Sequence, residues 1–267
     1  MAALAPVLYL PHGGGPLPLL GDPAHAGLIR FLRALPASYP APEAYVVVSA
    51  HWESALPAVY GGEEHPMLFD YYGFPPQTYE YRYPAAGDPA LAATVAACLQ
   101  AQGLRCLTET ARGFDHGTFV PMLLLNPAAD IPCVQLSLLK GLHADAHIAL
   151  GKALQPLRRR NVVVIGSGMS FHNLEAVWAG PQPRLREASD RFHSWLLHTL
   201  SSADLTPEQR LQQLANWEQA PFARFAHPRA EHLLPLHVCA GMVAGAPATL
   251  LFDEELLHHK VAGFGWR

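Results

Sequence analysis

The sequence predicts an α/β fold: a three-layer sandwich in which a central, mostly parallel or mixed sheet carries helices on both faces. Three observations lead there. Four short runs rich in Val, Ile and Leu are apolar without alternation, as strands covered on both faces are. Segments of helical period stand between and after them. Finally, 50% of the 267 residues are hydrophobic, enough to bury one sizeable core without a second domain.

In chain order the expected strands are Val7–Leu10, Tyr45–Ser49, Ile131–Leu138 and Val162–Ile165. The expected helices are Pro23–Leu35, Pro89–Gln102, Asp145–Arg159, Arg184–Leu200 and Pro228–Val243. Several open on proline, which suits the first turn because an N–H there has no helical partner to lose. The stretch Gly61–Pro89 is dense in Tyr, Phe, Pro and Gly. A connection of that length inside a compact unit is usually functional or disordered, and its aromatic load argues against disorder.

Composition narrows the partners. The formal net charge is −4, and the one basic run, Arg158–Arg160, falls at an expected helix end, which leaves no footprint for nucleic acid or an anionic membrane. Cys98, Cys106, Cys133 and Cys239 have no C-x-x-C spacing, against a disulfide framework or a thiolate zinc site. No basic leader precedes an apolar segment, and no apolar run approaches the ~18 residues of a membrane span. A cytoplasmic protein with a small-molecule partner is expected.

Fifteen histidines against eighteen Lys plus Arg are the outlying number. Open α/β sheets bind ligands beyond the carboxyl ends of their strands. In "VLYLPHGGGP" His12 follows the first strand, in "YVVVSAHWE" His51 ends the second, and in "VVVIGSGMSFHNL" His172 follows another through a Gly-Ser-Gly turn. His227, in "FAHPRAEHLLPL", is expected to cap the Pro228 helix, with Glu231 in its first turn. His116 lies in "GFDHGTFVP", read as a turn before an apolar helix or strand. Any one strand-end histidine is commonly structural, but convergence on one rim makes a metal cluster the better reading, since neutral imidazole is the commonest metal ligand. His25, His65, His143, His147, His193, His198, His258 and His259 are expected at the solvated surface, and His232 and His237 in the core or supporting the site.

The ordered set "PHGGGP", "SAHWE", "FDYYGFP", "DHGTFVP", "IPCVQLSL", "IGSGMSFHNL" and "AHPRAEHLLPL" resembles the class III extradiol ring-cleavage dioxygenases of the DOPA 4,5-dioxygenase type, from Pro11 to about Gly245. The resemblance implies one catalytic domain over residues 1–267 that opens the ring of a DOPA-like or other small catechol with O2 to give a semialdehyde. It implies a non-haem metal, Fe(II) for turnover with Zn(II) able to take the same site, held by His12, His51, His172 and His227. It implies His116 as the acid/base and substrate-contacting residue. Two departures touch pocket shape: His-Gly-Gly-Gly stands where many members have His-Gly-Ser, and Phe119 where Trp is common.

A six-coordinate ion that takes both catechol oxygens and O2 has room for three protein ligands, whereas tetrahedral zinc accepts four and is then closed. His172, on its glycine-flanked turn, is therefore expected to stand off and act as a catalytic base beside His116. Glu53, Glu175 and Glu231 are candidates to orient an imidazole. Tyr71, Tyr72, Phe74 and Tyr79 are expected to wall the aromatic substrate, the alternative being a packed surface loop or a contact in a homo-oligomer. Ser167 and Asn173 are candidates for substrate hydrogen bonds or for turn structure.

Two rival functions stay open from sequence. "HGGG" mimics an esterase oxyanion loop, and Ser170 in "GMSFH" follows a strand as a nucleophile elbow does, though a hydrolase would leave His51, His116 and His227 without a task. A redox-silent metal-binding scaffold would be expected to have lost part of the histidine set, and none is missing.

Overall fold

A computed structural model describes residues 4–267. Its centre is a sheet of eight strands: β1 (Val7–Pro11), β2 (Ala44–Ser54), β3 (Ala58–Tyr60), β4 (Leu107–Glu109), β5 (Cys133–Leu139), β6 (Val162–Gly168), β7 (Thr249–Leu256) and β8 (His259–Trp266). Their order is β4-β3-β5-β2-β6-β1-β8-β7. The middle is parallel, with β2 paired to β5 and β6, and β6 to β1. The β7–β8 hairpin joins β1 antiparallel at one side, and β3 meets β5 antiparallel at the other. The four expected strands are these inner ones. The outer strands escaped notice because β3 and β4 are three residues long, β7 mixes exposed and buried positions, and β8 carries two glycines among its buried residues.

The helices are α1 (Ala26–Ala34), α2 (Pro89–Gln100), α3 (His116–Leu125), α4 (Ala144–Leu154), α5 (Leu174–Trp178), α6 (Pro183–Ser201), α7 (Pro207–Ala215), α8 (Ala223–Ala226) and α9 (Leu234–Met242). Successive strand residues point to opposite faces. On β6, Ser167 bonds to the Gly117 carbonyl of α3, while the neighbouring Gly166 lies against Pro235 and Cys239 of α9, so α3 and α9 cover opposite faces. One apolar core runs through both layers, from Ala5 to Trp266.

The expected helix from Pro228 is corrected: residues 228–233 are bends and turns, and α9 starts at Leu234. His232 turns its carbonyl to Tyr9 Oη (2.9 Å) and to Met169 N–H at the end of β6 (3.0 Å), which takes that segment out of helical bonding. His227 accordingly ends α8 rather than opening a helix. The surface assignment is also corrected for His25, His147, His193 and His259, all of which are buried; His143, His198 and His258 are exposed and His65 is half-buried. His147 is held by donation from Nδ1 to the His143 carbonyl (2.8 Å) and acceptance at Nε2 from Leu139 N–H (3.1 Å), a complete set for a neutral ring.

Helices α4 and α9 cross through glycines. A Cβ on Gly151 would stand 2.0 Å from the Val238 carbonyl oxygen, and one on Gly241 2.2 Å from that of Ile148. A backbone cannot yield as a flexible side chain can, so Gly151→Ala is expected to lower stability by about 1–3 kcal/mol. An unchanged denaturant midpoint would contradict this packing.

Candidate active site

The parallel strands β2, β6 and β1 are neighbours, so their carboxyl ends share one rim. His12 lies one residue beyond β1, and its N–H donates to the Gly168 carbonyl at the end of β6 (3.2 Å). His51 lies where the pairing of β2 with β5 is interrupted between Val48 and Glu53. Such a bulge re-aims a side chain, and the His51 N–H turns to Ser49 Oγ (3.2 Å) instead of the ladder. His116 is the first residue of α3, whose N-cap is Asp115, accepting from Thr118 N–H (3.1 Å).

These three imidazoles meet. His12, His51 and His116 each offer a ring nitrogen within 4.8 Å of the others, and His12 Nε2 stands 3.2 Å from His51 Nε2. His172, Glu231 and His232 form a second group on the same criterion. The His232 ring links the two: its centroid lies 5.2 Å from that of His12, 4.9 Å from His51 and 3.4 Å from His172, on which it stacks. His227 joins neither group. It packs against Phe192 and Trp217, and its Nε2 donates to the Ser170 carbonyl (3.0 Å). The "EH" histidine of the "HPRAEH" motif thus reaches the site, where the sequence reading placed the "HP" histidine.

The Nδ1 side of these rings assigns the protons. Pro121 inside α3 has no N–H to give the Gly117 carbonyl four residues back, and the Ser167 hydroxyl donates to that carbonyl instead. Ser167 Oγ is left to accept from His12 Nδ1 (3.1 Å). Asp70 Oδ1 accepts from His116 Nδ1 (2.8 Å) and His116 N–H (3.0 Å), while Oδ2 faces His51 Nδ1 at 3.5 Å. Glu231 Oε1 accepts from His232 Nδ1 (2.9 Å) and lies 3.6 Å from His172 Nδ1. For His12, His116 and His232 the lone pair therefore falls on Nε2, while His51 Nδ1 meets its carboxylate only at 3.5 Å. His12 Nε2 thus faces His51 Nε2 at 3.2 Å as an acceptor, and with the His51 proton on its Asp70 side both nitrogens are free for a cation, so the donor set fits a metal.

Electrostatics agree. Burial, reinforced by the neighbouring rings, pushes His12, His51 and His232 far below the ordinary imidazole value. Burial and His116 bring His172 down to about 4. For Asp70, burial opposes ionisation but the bond and charge of His116 outweigh it, and its pKa falls to about 2. His12, His51, His172 and His232 are therefore neutral at pH 7, the form that binds metal.

Asp70 is the functional residue that sequence reasoning missed; it sat within the quoted "FDYYGFP" motif, 46 positions from the His116 ring it holds. Of the three acidic candidates, Glu231 does orient an imidazole, Glu53 pairs with Arg229 (2.6 Å), and Glu175 is exposed. Asn173 caps α5 through Ala176 N–H and donates to the Phe225 carbonyl. Ser170 Oγ is buried and accepts from Ala262 N–H (2.8 Å), a structural position that offers no support for a serine hydrolase.

The rings open onto a cavity of about 610 Å³, with Tyr71, Tyr72 and Phe74 from the aromatic loop in its wall. The loop is built on its own aromatics: Tyr79 packs on Tyr71, and Phe69 on Phe119. The first glycine after His12 has φ +83°, and a Cβ there would fall 2.6 Å from Pro18 and 2.9 Å from His25. The loop is pinned by Gly14 N–H, which donates to His25 Nε2 (3.1 Å).

Acid stability follows from the buried rings. Burial lowers His147 to about 4 and His227 to about 3, both below the unfolded value near 6.5. Between those limits the unfolded chain binds protons that the folded chain refuses, so stability drops as pH falls through 6.5 towards 4, by about 1.4 kcal/mol per pH unit for each ring. Denaturant midpoints are expected to be level above pH 7.5 and to fall steeply below 6.5; equal midpoints at pH 7.5 and 5 would contradict neutral burial.

Comparison with known proteins gives the family. Residues 6–265 match the family described as the catalytic LigB subunit of aromatic ring-opening dioxygenase. The chain is 40% identical to the dioxygenase tasH of Hapsidospora irregularis, over 98% of this chain and 86% of that protein. It is 36% identical to the 4,5-DOPA dioxygenase extradiol of Beta vulgaris, over 83% and 79%. Among solved structures, the uncharacterized protein JW3007 of Escherichia coli K12 superposes with a TM-score of 0.75 at 28% identity, covering 98% of this chain and 99% of that one. The chain belongs to the LigB family of class III extradiol dioxygenases, oxidoreductases that open aromatic rings.

Proposed function

We propose that residues 1–267 act as one metal-dependent catalytic unit that opens a small catechol with O2 to give a semialdehyde, with Fe(II) as the working metal and Zn(II) able to take its place. The observation that carries this reading is the pair of ring nitrogens on His12 and His51, 3.2 Å apart beside an aromatic-walled cavity. His12, His51 and His232 would hold the metal. The bound ion would supply a shared site for catechol and O2 and a path for electrons between them.

The protein's own groups handle position and protons. The cavity receives the ring edge-on to the imidazoles, and Tyr71 and Phe74 limit its tilt. His116 Nε2 takes a catechol proton; the ionised Asp70 on Nδ1 balances the charge the ring then carries. His172, neutral and in the cavity wall, is a second proton acceptor. Burial excludes the bulk water that would compete for these protons.

Anaerobic loading with Fe(II), addition of a catechol and then air is expected to yield a yellow semialdehyde chromophore; none across a catechol panel would defeat the reading. Metal analysis separates the roles. His12→Ala, His51→Ala and His232→Ala are expected to lose metal, and His227→Ala to keep it. His116→Ala and His172→Ala are expected to keep metal, with turnover down about 10²–10⁴-fold for His116→Ala. Metal lost from His116→Ala but kept in His232→Ala would overturn the assignment.

A further inference from the structure

The cavity holds more than a catechol ring needs. About 150 Å³ suffices for benzene, against about 610 Å³ here, so most of the space faces whatever substituent the ring carries. Among the described residues no Lys, Arg, Asp or Glu contributes to the wall. The two carboxylates near the rings, Asp70 and Glu231, stand on the Nδ1 side of the imidazoles and outside the wall.

Apart from Tyr72 at the mouth, the neutral polar side chains of the wall are already engaged. Tyr71 Oη donates to the Thr78 carbonyl, Asn173 uses both ends of its amide to cap α5 and bind Phe225, and Gly14 N–H is held by His25. What remains beyond the imidazoles and the Tyr72 hydroxyl is mostly apolar. Leu174, Val177 and Trp178, spaced to share one face of α5, oppose Leu256, Leu257 and Val261 of the hairpin. At the mouth, Trp178 is 76% exposed and Tyr72 90% exposed, whereas Trp52, Trp217 and Trp266 are buried. An exposed Trp and Tyr around an apolar cavity mark a surface that gains by being covered.

We infer that the substrate is a catechol whose ring substituent is uncharged and apolar and extends past Trp178, rather than a zwitterionic amino acid. This rests on the proposed ring opening. A buried ammonium or carboxylate would lose its water and find no partner in this wall, while each added methylene would leave water for apolar contact.

The test compares 4-methyl-, 4-propyl- and 4-hexylcatechol with DOPA and 3,4-dihydroxyphenylacetate on the Fe(II)-loaded protein. kcat/KM is expected to rise by up to about fourfold per methylene, and DOPA to fall at least about tenfold below propylcatechol. DOPA equal to or better than propylcatechol would overturn the inference. Binding gives an independent readout, by tryptophan fluorescence under nitrogen with metal-free protein: hexylcatechol should bind more tightly than DOPA, and the reverse order would overturn the inference even if no catechol is turned over. That last outcome by itself would strike the ring-opening reading and leave the cavity's preference measurable. Trp178→Ala should flatten the chain-length dependence. Leu174→Arg, at a position 46% exposed, should raise the ratio of dihydroxyphenylacetate to propylcatechol; unchanged ratios in both variants would show that this wall does not contact the substituent.

Discussion

His12 Nε2 and His51 Nε2 face each other at 3.2 Å, and each ring is backed by a polar partner on Nδ1, Ser167 at 3.1 Å and Asp70 at 3.5 Å. Ser167 takes one ring, Asp70 faces two more, and Glu231 takes a fourth. Ring orientation is thereby set before any ligand arrives. This is the general logic of imidazole sites, in which the partner on the far nitrogen decides which nitrogen is free.

The rest of the fold can be read as support for that arrangement. Pro121 frees the Gly117 carbonyl, the carbonyl holds the Ser167 hydroxyl, and the hydroxyl orients His12. Asp115 caps α3, binds Ser49 (2.7 Å) and pairs with Arg112 (2.9 Å), so the same carboxylate fixes the start of α3 and the bulge that aims His51. Arg112 also donates to the His51 carbonyl (2.9 Å). Buried polar networks of this kind are costly when half satisfied and rigid when complete. Here they hold His12 and His51 where burial and the neighbouring rings disfavour protonation.

Cavity and ring cluster divide the labour. The buried end is polar and pre-oriented, built by strand termini and by loops tied to them. The outer end is apolar and built by α5, the aromatic loop and the C-terminal hairpin, none of which supplies an imidazole to the ring cluster. Chemistry can therefore stay constant while the wall that meets the substituent varies, as expected when function sits on loops over a rigid sheet.

The inner sheet was legible in the residues because strands buried on both faces are rich in apolar residues: β1, the first half of β2 and the first half of β6 are continuous apolar runs, and β5 is interrupted only by Gln135 and Ser137. So was the rim: parallel neighbours end together, and His12, His51 and His172 follow those ends. His116 was legible only through its motif. The choice between His227 and His232 was not, since both flank the same turn and the periodicity of "HPRAEHLLPL" suits a helix from Pro228. Only the tertiary structure decided it, by drawing the His232 carbonyl to Tyr9 and Met169 and so delaying α9 to Leu234. Asp70 and Ser167 likewise act across 46 and 155 positions. Local sequence determines which segments are strands and which residues can bind metal; which nitrogen is free and which histidine arrives depends on hydrogen bonds between segments that only folding brings together.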